Sequence, residues 1–182
     1  MLENKPSVSN QVISLAPFLN TNCKLVIKRE DLIHPYISGN KYRKLKYNLI
    51  NAKKEGFNTL LTFGGAYSNH IAAVASVGKE FGFNTIGVIR GEELIDKIDL
   101  NPTLLFAKEC GMKFLFISRK DYQLKTEKAF IDILKSKFGL FYLIPEGGTN
   151  QFAVKGCSEI LEKEDLNYDF ICASVGTGGT LA

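Results

Sequence analysis

Apolar runs and helical-period stretches alternate along the chain. Lys24–Lys28, Thr59–Phe63, Thr85–Arg90, Lys113–Ser118, Leu140–Ile144 and Asp169–Val175 are short and dominated by apolar residues, and they read as strands. Between them the period changes. Tyr42, Leu45, Leu49 and Ala52 recur on one helical face, and Gly56 lies where a stop belongs. From Asn69 to Phe81, Ile71, Val74, Ala75 and Gly78 point inward and are small enough to let a helix lie close on a sheet. A third helix has Pro102 in its first turn, where a missing N–H costs nothing, and Gly111 just past its end. A fourth spans Asp121 to Phe138, with Leu124, Phe130, Ile133 and Leu134 inward and Gly139 as its stop. A fifth runs from Phe152 to Lys163.

Strands nearly continuous in apolar residues, separated by helices, imply an α/β fold: a parallel sheet covered by helices on both faces, doubly wound by right-handed crossovers. Ligands of such sheets bind at the carboxyl ends of the strands, so the loops between strand and helix are where chemistry is sought. The last strand runs into Gly176–Thr180 and the sequence stops at Ala182, with no helix to cover it. The expectation is the first part of a longer protein.

Composition narrows the classes. Among 182 residues, 23 Lys and Arg against 19 Asp and Glu give +4, a mild balance spread along the chain that does not point to nucleic acid. No apolar run is long enough to cross a bilayer, and Met1–Val12 is polar, without a signal-peptide core. Cys23, Cys110, Cys157 and Cys172 form no CxxC pair, so reduced thiols and a cytoplasmic setting are expected. Two histidines, His34 and His70, leave little material for a metal centre, and none is expected.

Four loops could carry chemistry. Ser38-Gly39-Asn40-Lys41 enters the first helix. A lysine at a helix start is disfavoured by the positive end of the dipole, and burial would add to that; both favour the neutral amine that attacks a carbonyl. The structural alternative has Asn40 as cap and Lys41 in solvent beside Arg43, Lys44 and Lys46. Gly64–His70 follows a strand: its glycines allow close approach of backbone, while Ser68 and Asn69 suit either a helix cap or an anion at the helix start. His70 is a candidate acid or base, or a structural residue of the first turn. Glu146–Asn150 is a glycine turn with Asn150 as cap. Gly176, Thr177, Gly178, Gly179 and Thr180 form a nest suited to a phosphate. It is no Walker loop and a poor dinucleotide fingerprint, since the third small residue falls on Leu181, so a nucleotide-binding module ranks low.

Taken together, Ser38–Leu45, Gly64–His70 and Gly176–Thr180 resemble the motifs of the 1-aminocyclopropane-1-carboxylate deaminase/D-cysteine desulfhydrase family, fold-type II pyridoxal-phosphate enzymes of the tryptophan synthase β-like group. The resemblance implies the following. Lys41 matches the lysine bonded to pyridoxal 5'-phosphate, Asn69 the residue that contacts the cofactor's phenolic oxygen, and Ser68 a substrate-contacting position. Gly176, Thr177, Gly178, Gly179 and Thr180 match the phosphate cup. The implied reaction turns a small amino acid, aminocyclopropane carboxylate or D-cysteine, into a 2-oxo acid and ammonia, with sulfide from D-cysteine. The alternative is a shortened product that binds cofactor without turnover, or is inert. Two domains are implied: residues 1–44 and 151–182 as part of a large cofactor domain, and 45–150 as a small α/β domain. A homodimer is implied for the full-length parent, with no nucleic-acid or membrane partner.

Overall fold

The computed structural model describes residues 6–16, 22–176 and 178–181. Its core is a parallel four-stranded sheet. The strands are β3 (Thr59–Gly64), β4 (Asn84–Arg90), β5 (Lys113–Ile117) and β6 (Tyr142–Ile144), in the order β5-β4-β3-β6. A smaller ribbon pairs β1 (Asn10–Ile13) antiparallel with β2 (Leu25–Lys28). The helices are α1 (Asn40–Lys54), α2 (Asn69–Phe81), α3 (Pro102–Glu109), α4 (Lys128–Phe138) and α5 (Gln151–Cys157).

Period-two alternation sends successive strand residues to opposite faces. Leu60, Ile89 and Ile144 meet α1, α2 and α3 on one face. Leu61, Phe63, Ile86 and Val88 meet Leu134 of α4 on the other. The order explains this division. From β3 to β5 the chain steps one way across the sheet, through α2 and α3; it then returns through α4 to the far side of β3. Right-handed crossovers place helices on opposite faces when the direction reverses. The doubly wound expectation therefore holds for this sheet.

Four expectations need correction. Leu25–Lys28 belongs to the separate ribbon, where β1 supplies its backbone partners. Asp169–Val175 forms no strand: its side chains are exposed, Phe170 at 89%, and no described strand lies beside it to complete a ladder. The fourth helix is broken into a 3-10 turn, Asp121–Leu124, and α4. Tyr122 enters the core against Phe63, while Leu124 and Ile133 stay exposed. The fifth helix stops at Cys157, and Lys163–Asn167 forms a separate 3-10 turn whose Asp165 ties to Lys28 at 2.8 Å and to Asn10 at 3.1 Å. No described helix is long and apolar enough to cross a membrane.

Candidate functional site

The direction reverses between β3 and β6, so the loops leaving these neighbouring strands diverge and open a crevice at their carboxyl ends. The start of α1 faces that crevice. Gly39, not Asn40, is the N-cap, with φ 60° and ψ −145°, a conformation that suits glycine. The turn before it is pinned: Gly39 N–H donates to the Glu30 carbonyl (2.9 Å), and Nδ1 of His34 accepts from the backbone of Ile37 (3.0 Å) and Tyr36 (3.2 Å). Nε2 of His34 faces Glu80 at 2.9 Å.

Lys41, Lys44 and Asn48 are spaced three and four residues apart and share one face of α1. Lys41 is half-buried. Burial, and then the charge of Lys44, hold its ammonium below the ordinary lysine range, the direction the helix-start reading requires. Lys44 is 2% exposed, and its Nζ donates to the Thr149 hydroxyl (3.2 Å) and the Gly147 carbonyl (3.4 Å). The alternative with these cations in solvent is overturned. Arg43 is 1% exposed and forks onto Glu30 at 2.8 and 2.9 Å, and Lys46 meets Glu159 at 2.6 Å. Asn48 exchanges side-chain bonds with Asn150, whose Oδ1 also caps α5 by accepting from Ala153 N–H (2.9 Å).

The loop after β3 is tight. A Cβ on Gly64 would lie 2.5 Å from Cγ1 of Ile71. Ser68 caps α2 by accepting from Ile71 N–H at 3.4 Å, and Asn69 is the exposed first residue of the helix. His70 is 1% exposed, and its Nε2 lies 2.8 Å from Oγ1 of Thr62 on β3. Burial, followed by the charges of Lys41 and Lys44, pushes its pKa down to about 3. It is therefore neutral near pH 7, which removes the acid role and leaves an acceptor.

The C-terminal glycines approach from the other side. Asn40 Nδ2 donates to Oγ1 of Thr180 at 2.9 Å. Gly179 is buried where a Cβ would stand 2.5 Å from Cγ2 of Thr149, so a side chain there would drive the two loops apart. Gly178 has φ +80°. Gly176 is exposed with open space around it, and Thr177 lies outside the described residues.

The fold thus gathers Lys41, His70, Lys44, the Gly147–Thr149 turn, Gly179 and Thr180 around the crevice, with Ser68 and Asn69 at its α2 rim. A cavity of about 870 Å³ lies beyond Asn40 and Thr180, against the ribbon, Cys157, Tyr168 and residues 170–174; Lys41 does not line it. Sequence reasoning missed Lys44 and Thr149. The available signal was the polar stripe Lys41-Lys44-Asn48 beside the apolar stripe Tyr42-Leu45-Leu49-Ala52, but nothing local shows what that stripe meets. Among the described residues no three His, Cys, Asp or Glu side chains group as a metal set.

No protein-family profile matches the chain. A putative 1-aminocyclopropane-1-carboxylate deaminase of Thermotoga maritima is 36% identical over 167 residues, covering 87% of this chain and 52% of that protein. The mitochondrial bifunctional D-cysteine desulfhydrase/1-aminocyclopropane-1-carboxylate deaminase of Arabidopsis thaliana is 32% identical over 181 residues, covering 91% and 45%. A D-cysteine desulfhydrase of Salmonella typhi is 35% identical over 178 residues, covering 87% and 51%. The crystal structure of an ACC deaminase homologue superposes with a TM-score of 0.79 at 28% identity, over 100% of this chain and 55% of that one. An O-ureido-L-serine synthase shares the fold at 18% identity, with a TM-score of 0.67. The chain spans about half the length of the curated relatives it matches. Sequence over nearly all of its length and fold over the whole of it agree: the chain is a homologue of proteins named 1-aminocyclopropane-1-carboxylate deaminase and D-cysteine desulfhydrase, and it shares the α/β fold of the ACC deaminase homologue.

Proposed function

We propose that the chain carries the lysine half of a pyridoxal 5'-phosphate site that deaminates a small amino acid to a 2-oxo acid and ammonia, releasing sulfide where the substrate is D-cysteine. One observation carries this reading. The partly desolvated amine of Lys41 stands at the start of α1, and the adjoining residue, Asn40, is bonded at 2.9 Å to the glycine segment that ends in Thr180. Amine and anion nest come from opposite ends of the sequence and meet at the switch point.

The residues fit the group. A buried Lys44 beside the Thr149 hydroxyl is a donor set for a phosphate, and the close approach at Gly179 makes room for backbone N–H groups to face it. Pyridoxal phosphate, when bound, supplies an aldehyde and an electron sink. The protein does the rest. Lys41, its ammonium disfavoured by burial and by Lys44, is the amine that would hold the group at its aldehyde carbon, and its Nζ would hold and return a proton. Ser68 and Asn69 meet polar groups at the α2 rim, and the positive end of that helix favours a carboxylate there.

Borohydride reduction of the chain mixed with pyridoxal phosphate, followed by peptide mass mapping, tests it. The expected result is one pyridoxyl group on Lys41, lost in Lys41→Ala; an adduct elsewhere rejects the site. Ammonia release from aminocyclopropane carboxylate, and sulfide release from D-cysteine, then report turnover. The exposure of Phe170, Ile171 and Leu181 beside the large cavity favours a second reading, in which the 182 residues bind the cofactor without turning over. A trapped adduct with no ammonia is its signature.

A further inference from the structure

His70 is buried at the switch point and has one ring nitrogen without a partner among the described residues. The Thr62 hydroxyl has a single hydrogen, and it donates that to the Ile144 carbonyl at 2.8 Å. Toward His70 it can therefore only accept, which places the ring proton on Nε2, 2.8 Å away. Three elements, β6, β3 and α2, thus fix the tautomer, and Nδ1 is left as a bare acceptor. It is buried and has no hydrogen-bond partner among the described residues. Such an atom costs free energy unless a donor reaches it.

The surroundings say which donor. An ideal Cβ on Gly148 would stand 3.1 Å from Cε1 of His70, 3.5 Å from its Nδ1 and 3.5 Å from Cβ of Lys44. The bare edge of the ring therefore faces the glycine turn and α1. Two amines on α1 act on it electrostatically, Lys41 and Lys44. Lys44 is already bonded to Thr149 and Gly147. The Lys41 side chain makes no hydrogen bond or ion pair among the described residues, its backbone N–H donating to the Ser38 carbonyl. Among the described residues, a buried acceptor without a donor thus lies within electrostatic reach of a half-buried side-chain donor without an acceptor, on a stem of four rotatable carbons.

We infer that His70 is a positioning residue for Lys41, its Nδ1 accepting a hydrogen bond from the Lys41 Nζ whenever that amine is free. The functional meaning rests on Lys41 being the reactive lysine proposed above. The bond takes one N–H and aims the amine across the crevice toward the glycine turn. The imidazole, held neutral, adds no third positive charge and has no proton to give, so proton traffic in this pocket stays with the lysine.

The test uses the whole chain without cofactor. Long-range proton–nitrogen spectra of histidine-labelled protein resolve two rings, assigned with His34→Asn. His70 is expected as the Nε2–H form, unchanged from about pH 8 to about pH 5. The rate at which Lys41 is acylated by an amine reagent, followed by peptide mass against pH, reads the bond itself. An acceptor stabilises the ammonium more than the amine. His70→Leu is therefore expected to lower the apparent Lys41 pKa by about one unit, making the amine roughly tenfold more reactive below it. His70→Asn, whose Oδ1 stands near the Nδ1 position, is expected to restore the native profile. Lys44 on α1 and Cys157 on α5 also act on Lys41 and are left intact in every variant. If His70→Leu does not fold, His70→Gln, which reaches the Nε2 position instead, is expected to show the same shift. A proton on Nδ1, or a Lys41 profile indifferent to His70, overturns the inference. A shifted profile with no pyridoxyl trapping at Lys41 rejects the proposed function and leaves the hydrogen bond standing.

Discussion

The two halves of the crevice are built differently. On the α1 side three cations are buried with partners: Arg43 on Glu30, Lys46 on Glu159, Lys44 on Thr149. The sheet beneath is sealed on both faces, with Leu60, Leu61, Val88 and Ile144 fully buried. On the glycine side, Gly176–Leu181 follows a segment without regular structure. Phe170, Ile171, Val175 and Leu181 are exposed, and Phe170, Ile171 and Leu181 line a cavity of about 870 Å³. Among the described residues, Asn40–Thr180 and the close approach of Gly179 to Thr149 tie that side to the site. The lysine is carried by a region that completes its own core. The glycine segment is carried by one that does not.

The comparison breaks first at Arg43. Truncation to alanine strips Glu30 of its fork inside a buried pair, and such breaks cost about 3–5 kcal/mol. Urea unfolding of Arg43→Ala should show that loss; a change below about 1 kcal/mol would mean that α1 does not depend on the pair. Gly156 comes next. A Cβ there would lie 1.9 Å from the carbonyl oxygen of Arg43, and that atom is backbone and cannot step aside. Gly156→Ala gains helix propensity but must push α5 off α1, for a net loss of about 2 kcal/mol in the same unfolding assay.

These two positions also show where the sequence stops being readable. Tyr42, Leu45, Leu49 and Ala52 announce α1 because an apolar face is a local property. The fate of Arg43, Lys44 and Lys46 is not local: Glu30 is 13 residues from Arg43, while Thr149 is 105 from Lys44 and Glu159 is 113 from Lys46. A basic helix start reads as solvated until those partners are in place. The same limit explains Asp169–Val175. Its pattern is that of a buried strand, as in β3 and β4, but a strand is a pairing, and pairing depends on what lies alongside. The glycine motifs were legible because each needs only its own backbone. That the turn at 147–149 would meet both Lys44 and Gly179 was not, since the Gly179 contact is a close approach between loops distant in sequence.

The third prediction concerns pH. Folded His70 has its pKa held down to about 3, while an unfolded histidine titrates near 6.5. Above the unfolded value both states are neutral and the group has no effect. As pH falls below it the unfolded chain takes up a proton that the folded chain refuses, so stability is lost progressively toward the folded value. The loss should reach about 2 kcal/mol by pH 5. His70→Asn should remove this part of the acid slope, and an unchanged slope would place the titration elsewhere. Because the group lies in the sealed half, its effect belongs to global unfolding rather than to the glycine segment.

The smallest effects belong to the other half. Thr180→Val removes the acceptor of Asn40 and should change stability by no more than about 1 kcal/mol. Yet it loosens a tie of the glycine segment to α1, so borohydride trapping at Lys41 under limiting pyridoxal phosphate should fall roughly fivefold, the equivalent of that energy.

Phe170→Ser sharpens the contrast furthest, because almost nothing should happen to the fold. Phe170 is 89% exposed, so its ring gives up little contact when removed, and the unfolding midpoint should move by an amount equivalent to less than about 0.5 kcal/mol. What should change is association. Phe170 adjoins Ile171, also exposed, and both border the cavity with Leu181; a contiguous apolar surface of this kind seeks cover. Light scattering at rising concentration should therefore show Phe170→Ser to be less self-associated than the native chain at equal stability. If the substitution instead lowers stability as a buried Phe would, the segment is packed in solution, and the two halves of the crevice are more alike than their exposure indicates.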